Sequence, residues 1–473
     1  MNPLERPHNE YRHAFERISE LSLALLAELN QRPTFPTITG QEARKRFSDP
    51  LPELGMGAAA LDGLQAVIDA SRLQNSRFFG YVLGSGEPIA AAADLLASVL
   101  NQNVTAWRSG PAAATIEQVV VGWLAEAVGC NGFVGTLTGG GSAANLMALA
   151  MARETRMPSN DDGVQQSGTV YASDQSHMSI PKAVALLGLG RHSLRSIPCD
   201  PDFRMRVDLL RQEIDKDAQE GKTPVAIVGT AGTVATGSID PLAELAAIAK
   251  SCGAWFHVDG AFGALAAIAR PADFAGMNQA DSLSLDPHKW LYQPLDCGCL
   301  LYRDRAAAQK TFSYTGDYAK SLLEDPVESF SFFDETLELS RRFRALKLWL
   351  SLRFHGLNAF RQQIENDLEM ASHLKGLVAR APDLELMAPV PLSAVCFRFV
   401  PASQPLRDPQ LDDFNLKILN RVQRGGRVFI SNATIHGSFA LRACIVNHRT
   451  TRPDVEAVVD EVVKVGHAVL SEA

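Results

Sequence analysis

Between about residues 88 and 339, seven short apolar runs alternate with helical stretches, at 133–137, 168–172, 192–197, 224–229, 254–258, 282–285 and 299–302. That rhythm limits what the chain can fold into, because strands separated by helices pair in parallel and a parallel sheet needs cover on both faces. A chain of 473 residues with 46% hydrophobic content can bury such a core. Its length suggests two or three domains. We read a helical arm over 1–85, a large domain over 86–340 and a smaller α/β domain over 341–473. The arm carries helical patterns at 12–30 and 57–73 around the Pro-rich linker 32–37, and has little core of its own. Beyond Arg341, helical periodicity continues toward Arg380 with a break near Gly356. Strands are then predicted at 393–400, 427–431 and 439–446, and a closing helix at 453–470.

The chemistry-bearing residues fall just after these strands, where open α/β sheets place ligands. Asp281-Ser-Leu-Ser-Leu-Asp286-Pro-His288-Lys289-Trp290 sets a lysine between a strand with its proline and the apolar Trp290-Leu291-Tyr292. A lysine held among cations or apolar walls loses its proton and becomes a nucleophilic amine, ready to form a Schiff base with an aldehyde. Thirty residues upstream, Ala254 to Val258 reads as a buried strand delivering the Asp259 carboxylate, and Gly260-Ala261-Phe262-Gly263 follows with little bulk. Alone, Lys289 would be a surface lysine and Asp259 a strand-end turn residue. Together they suit pyridoxal phosphate, which needs a lysine for its aldehyde and an Asp to keep the pyridine nitrogen protonated.

Three further strand-to-loop junctions fit that cofactor. Thr138-Gly-Gly-Gly141-Ser142 precedes a helix at 143–155, so the amides of Gly141 and Ser142 would face a phosphate. A Gly-rich turn is by itself a weak signal. Gly229-Thr230-Ala-Gly-Thr233 offers hydroxyls to a ring oxygen or to substrate. Ser173-Asp-Gln-Ser-His177 places an imidazole that can stack on a pyridine face and contact a substrate carboxylate, although His177 taken singly reads as a satisfied histidine near a helix start.

These segments, with His257-Val-Asp259-Gly-Ala261 and Asp286-Pro-His288-Lys289-Trp290, resemble the signatures of group II pyridoxal-phosphate-dependent amino-acid decarboxylases, nearest the aromatic L-amino-acid branch. The likeness extends through Arg77-Phe-Phe79-Gly-Tyr81, through 101–108 and through 341–349, nearly the whole chain. It implies the aspartate aminotransferase-like, type I fold of PLP-dependent transferases. That fold has a mostly parallel seven-stranded sheet, a smaller C-terminal α/β domain, and a homodimer with active sites at the subunit interface. It also implies a Schiff base at Lys289, a ring-nitrogen partner in Asp259, stacking by His177 and Ala261, and phosphate contacts from Gly141, Ser142 and His288. Thr230, Thr233 and Asp286 complete the cofactor set. Tyr318 matches a mobile-loop tyrosine that returns a proton after carbon dioxide leaves, with Tyr314 as the alternative. Phe79, Tyr81, Val82 and Leu83 are expected as substrate-pocket walls, and Arg341 as a residue approaching the site of this chain or its partner.

The sequence departs from the family pattern at Asp286, where animal members carry asparagine, at Val234, and at Ala114-Thr-Ile-Glu117. Substrate preference therefore stays open. Tyrosine, tryptophan, phenylalanine and dihydroxyphenylalanine stand level. A small acidic or basic substrate (aspartate, glutamate or diaminobutyrate), an aromatic aldehyde synthase and a non-catalytic scaffold are the alternatives, with Tyr318 favouring plain decarboxylation over the aldehyde.

The remaining features exclude other classes. A net charge of −8 argues against nucleic acid. No apolar run reaches the ~18 residues of a membrane span, and the N-terminal residues lack the basic-then-apolar order of a secretory leader. Seven scattered cysteines fit reduced thiols in a cytoplasmic protein, and the Cys297-Gly-Cys299 pair has neither zinc spacing nor a matching pair, so no metal is expected.

Overall fold

The computed structural model describes residues 4–314, 325–402 and 408–472. Its large sheet contains β1 (Val134–Thr138), β2 (Gly168–Ser173), β3 (Leu194–Ile197), β4 (Thr223–Thr230), β5 (Trp255–Asp259), β6 (Ser282–Leu285) and β7 (Gly298–Tyr302). The order is β1-β7-β6-β5-β4-β2-β3. Pairing is parallel from β3 to β6, while β7 runs antiparallel to both β6 and β1. All seven expected strands are present, and their nearly continuous apolar character follows from burial on both faces. One face packs Tyr171, Ile227, Phe256 and Leu283 into the main core. The other packs Val170, Ala226, Val228 and Trp255 against the helix Gly141–Arg156.

A second sheet holds β8 (Leu384–Leu386), β9 (Ala394–Phe399), β10 (Ser431–Ile435) and β11 (Ser438–Cys444), antiparallel in the order β10-β11-β9-β8. The strand expected at 427–431 begins only at Ser431. The hairpin turn explains its place: His436 and Gly437 both take positive φ, 49° and 85°, the twist that a two-residue turn needs. A helix, Asp408–Gly425, and the three-residue β8 were not anticipated. The two cores divide inside the helix Leu357–Arg380. Phe360, Ile364 and Leu368 join the large core, and Met370, Ala371 and Leu374 the small one.

Near the N-terminus, the helix His8–Glu28 exposes Tyr11, Phe15, Ile18 and Leu26 at helical spacing. A further helix, Gly40–Phe47, is closed by a capping box between Thr39 and Glu42. The expected helix at 57–73 is a tight 3₁₀ segment, Gly57–Gly63, followed by the short helix Leu64–Asp69. Among the described residues no helix is long and apolar enough to cross a membrane.

Candidate active site

Strand register brings the polar residues together. In β5, Asp259 pairs with Thr230 of β4 on one side and Ser284 of β6 on the other, so three neighbouring strands end at one level. There a cavity of about 440 Å³ opens, lined by Gly141, Ser142, His177, Thr230, Asp259, Ala261, Asp286, His288 and Lys289 among others. Nine sequence-nominated residues thus share one cavity.

Lys289 sits on a single helical turn, Pro287–Trp290, whose proline starts the turn directly after β6. Its Nζ lies 2.9 Å from Asp286 Oδ2, and the side chain is 14% exposed. The amine therefore faces an anion, not the cations or bare apolar walls expected from its sequence neighbours. His288 directs Nδ1 to the Cys297 carbonyl at 2.7 Å, leaving Nε2 3.6 Å from Asp286. Burial pushes the His288 and His177 imidazoles below their ordinary pKa. Asp259 is almost fully buried and accepts three hydrogen bonds. These come from Asn145 Nδ2 (2.9 Å), Ser284 Oγ (3.1 Å) and the Ala261 amide (3.3 Å). A carboxylate bound this way is fixed in orientation before any ligand arrives.

Several observations fit pyridoxal phosphate. Asp286 Oδ1 and Thr230 Oγ1 are buried without a partner, and both residues line the cavity, so they await a ligand's polar groups. Gly140 takes φ +140°, turning the chain into the helix Gly141–Arg156, whose first amides have no partner within the helix. A Cβ at Gly141 would stand 2.6 Å from Ala261 Cβ, which shows how closely these backbones approach.

Seven nominated residues among those described do not join the cavity lining: Arg341, Phe79, Thr233, Tyr81, Val82, Leu83 and Tyr314. Arg341 is a correction: it is 2% exposed and ion-paired with the fully buried Glu117, and it also bonds Val104 O (2.8 Å) and Leu137 O (3.1 Å). Its guanidinium is enclosed in the core behind β1, with Nη1 and Nη2 bonded and Nε without a partner. Phe79 is likewise no pocket wall, because it lies fully buried in the core of the small sheet. Thr233 turns its hydroxyl to Thr236 (2.9 Å) and the Ser238 amide (3.1 Å) within its own loop. Tyr81 is half exposed, packs against Phe78 and Phe429, and is not among the lining residues. Val82 and Leu83, half-buried, lead to Gly84, whose amide bonds the His288 carbonyl, so this segment braces the lysine turn from outside. Tyr318 lies outside the described residues, and Tyr314 is fully exposed beside a second cavity. Asn145 and Ser284 were missed. Asn145 stands four residues after Gly141 on the same helix, the spacing that returns a side chain to one face.

Comparison with known proteins accords with this geometry. The pyridoxal-dependent decarboxylase conserved domain matches residues 66–400. An aromatic-L-amino-acid decarboxylase of Bacillus atrophaeus is 32% identical over 458 residues, covering 96% of this chain and 94% of the relative. A phenylacetaldehyde synthase of Petunia hybrida is 30% identical over 399 residues, covering 81% and 79%. The crystal structure of Oryza sativa TDC with PLP and tryptamine superposes with a TM-score of 0.92 at 26% identity, over 99% of both chains. With lysine, aspartate and glycine turn in one cavity and this similarity along nearly the whole length, the chain belongs to the pyridoxal-dependent decarboxylase family.

Proposed function

We propose that this protein releases carbon dioxide from an aromatic L-amino acid to give the corresponding amine. The observation that carries the reading is the joint placement of Lys289 and Asp259 around one cavity beside the helix start at Gly141. When bound, pyridoxal phosphate supplies an aldehyde and an electron-withdrawing ring.

Lys289 is the attachment residue. Asp259, immobilised by its three donors, would meet the ring nitrogen, and each unit by which it raised that nitrogen's pKa would be worth ~1.4 kcal/mol of preference for the protonated ring. The Gly141 and Ser142 amides and His288 would hold the phosphate, while the unpaired Thr230 hydroxyl and the acceptor-only Asp286 carboxylate would face hydrogen-bonding groups of the cofactor or substrate other than the phosphate oxygens. His177 and Ala261, both on the cavity wall, would cover the faces of the bound ring. Tyr318 returns a proton to the α-carbon of the product. Val234, Phe262 and Leu295 give the cavity apolar wall, which suits a flat side chain.

A second copy of this chain is the partner that the exposed stripe of the helix His8–Glu28 supports. Sedimentation of a full-length homodimer tests it. Seven free cysteines support a reducing cytoplasmic setting.

The decisive experiment measures carbon dioxide release from a panel of aromatic, acidic and basic amino acids by the purified yellow protein, with borohydride reduction and peptide mapping. Release from aromatic substrates and a pyridoxyl label on Lys289 are expected. No label at that residue, or no release from any substrate, overturns the reading. The aldehyde synthase among its relatives sustains a second outcome, in which oxygen is consumed and hydrogen peroxide appears in equal amount with carbon dioxide. Stoichiometric peroxide would replace the amine by an aldehyde as the product.

A further inference from the structure

Behind Asp259 a buried chain of hydrogen bonds links residues from β5, β6 and two helices. Trp255 Nε1 donates to Ser282 Oγ (2.8 Å), which meets His257 Nδ1 (2.9 Å). His257 Nε2 meets Asn145 Oδ1 (3.0 Å). Asn145 Nδ2 donates to Asp259 Oδ2 and to Ser179 Oγ, each at 2.9 Å, and Ser179 Oγ meets His177 Nδ1 (2.8 Å).

The ends of this chain settle the direction of every bond. An indole N–H only donates, so Ser282 accepts there and keeps its own hydrogen for His257 Nδ1, which must accept because the ring's Nε2 faces Asn145 Oδ1, an acceptor. His257, fully buried, has its pKa pushed down to about 4, so the ring is neutral and carries its hydrogen on Nε2, which donates to Asn145 Oδ1. A carboxylate accepts, so the amide must turn its NH₂ toward Asp259, and its second hydrogen reaches Ser179. The Ser179 hydroxyl then donates to His177 Nδ1, and the Ser179 backbone N–H points to the same nitrogen at 3.2 Å. His177 is left with its hydrogen on Nε2, an atom with no partner among the described residues, on a side chain that lines the cavity.

We propose that Asn145 is a positioning residue for the reaction above. With the two hydrogens of one amide it holds Asp259 and, through Ser179, presents His177 to the cavity as an Nε2–H donor. A donor there can bond the carboxylate of an amino acid, which the other tautomer could not do. The inference rests on the decarboxylase reading for its kinetic consequence and on geometry alone for its proton positions.

The test is a long-range nitrogen–proton correlation spectrum of the pyridoxal phosphate-loaded protein, isotopically labelled at histidine and assigned by single replacements, together with kinetics. His177 and His257 are expected to be neutral with hydrogen on Nε2. Asn145→Leu, close in size, should leave His257 a mixture of tautomers and lower kcat about tenfold or more while moving KM less than about threefold. Should that variant fail to fold, Asn145→Ser, with one donor hydrogen in place of two, is measured for the same loss. A hydrogen on Nδ1 of either histidine in the unaltered protein overturns the proposal, as does a folded variant whose kcat stays within about twofold. If the unaltered protein releases no carbon dioxide, the function falls and the spectrum alone decides the hydrogen-bond chain.

Discussion

Lys289 and Arg341 are both largely buried bases paired with carboxylates, yet their surroundings differ in kind. Arg341 and Glu117 are 1% and 0% exposed at the side chain, the guanidinium bonds backbone carbonyls on two segments, and Phe332 covers it at 4.3 Å. Neither residue lines the active-site cavity. Both pairs keep buried polar atoms without a partner, Asp286 Oδ1 at one and Glu117 Oε2 and Arg341 Nε at the other, but only Lys289 and Asp286 border about 440 Å³ of free space. A buried ion pair enclosed by its neighbours holds segments together, whereas one that opens onto free space can receive a ligand. The comparison breaks wherever a substitution at one pair behaves like a substitution at the other.

The largest expected effect is at the open pair. Lys289→Ala should lower carbon dioxide release by about three orders of magnitude or more, because the attachment amine is gone, while cooperative urea unfolding is retained. An inactive variant that has also unfolded would place Lys289 with the structural bases. Next, Asp259→Asn should keep the fold and cost turnover on the order of a hundredfold, through the lost charge at the ring nitrogen. Turnover equal to the unaltered protein would refute the role given to that carboxylate.

At the closed pair the expected loss is stability. Arg341→Met leaves the Glu117 carboxylate buried and unpaired, and should cost ~3–5 kcal/mol in chemical denaturation. Adding Glu117→Gln should recover part of that loss, since the orphaned charge is removed with its partner. Turnover per folded molecule should stay within about threefold. A stable Arg341→Met protein with a raised KM would instead restore the substrate contact that the sequence suggested.

What could be read from the sequence follows the same division. Lys289, Asp259, Gly141, His177 and Thr230 each stand at the end of an apolar strand or within a few residues of it, a local signal, and the sheet brings strand ends together whatever its exact order. The seven strands were legible for the same reason. Burial of Arg341 and Phe79 is set by partners such as Glu117, which lies 224 positions away, so neighbouring residues carry no trace of it. Asn145 was hidden inside the apolar run Ala143-Ala-Asn-Leu-Met147, its contact with Asp259 spanning 114 positions. Two misses in the remainder had readable causes. The Thr39 and Glu42 capping box announces the helix Gly40–Phe47, and the His436-Gly437 turn fixes where β10 must end.

The seam between the two sheets offers a third kind of buried charge and the smallest expected effect, read per unit of pH. Asp367 accepts from Tyr292 Oη (2.9 Å), Gln363 Nε2 (3.0 Å) and the Asn447 amide (3.1 Å), and burial pushes its pKa up to about 7. Beside it, His448 bonds Ser85 Oγ at 2.7 Å, and burial pushes it down to about 4. Between about pH 4 and 7 the folded protein holds a proton on Asp367 that the unfolded chain has released, so this group's contribution falls as pH rises, by ~1.4 kcal/mol per unit. His448 has the opposite sign: between about pH 4 and 6.5 the unfolded chain binds the proton, so its contribution grows as pH rises. In the unaltered protein the two slopes oppose each other. Asp367→Asn removes the first and should unmask the second, giving a variant whose urea midpoint climbs from pH 4.5 to 6.5 by more than that of the parent, about one additional kcal/mol per pH unit. Parallel midpoint curves for the two proteins would show that Asp367 is ionised in the fold, and the seam would then belong with the closed Arg341 pair.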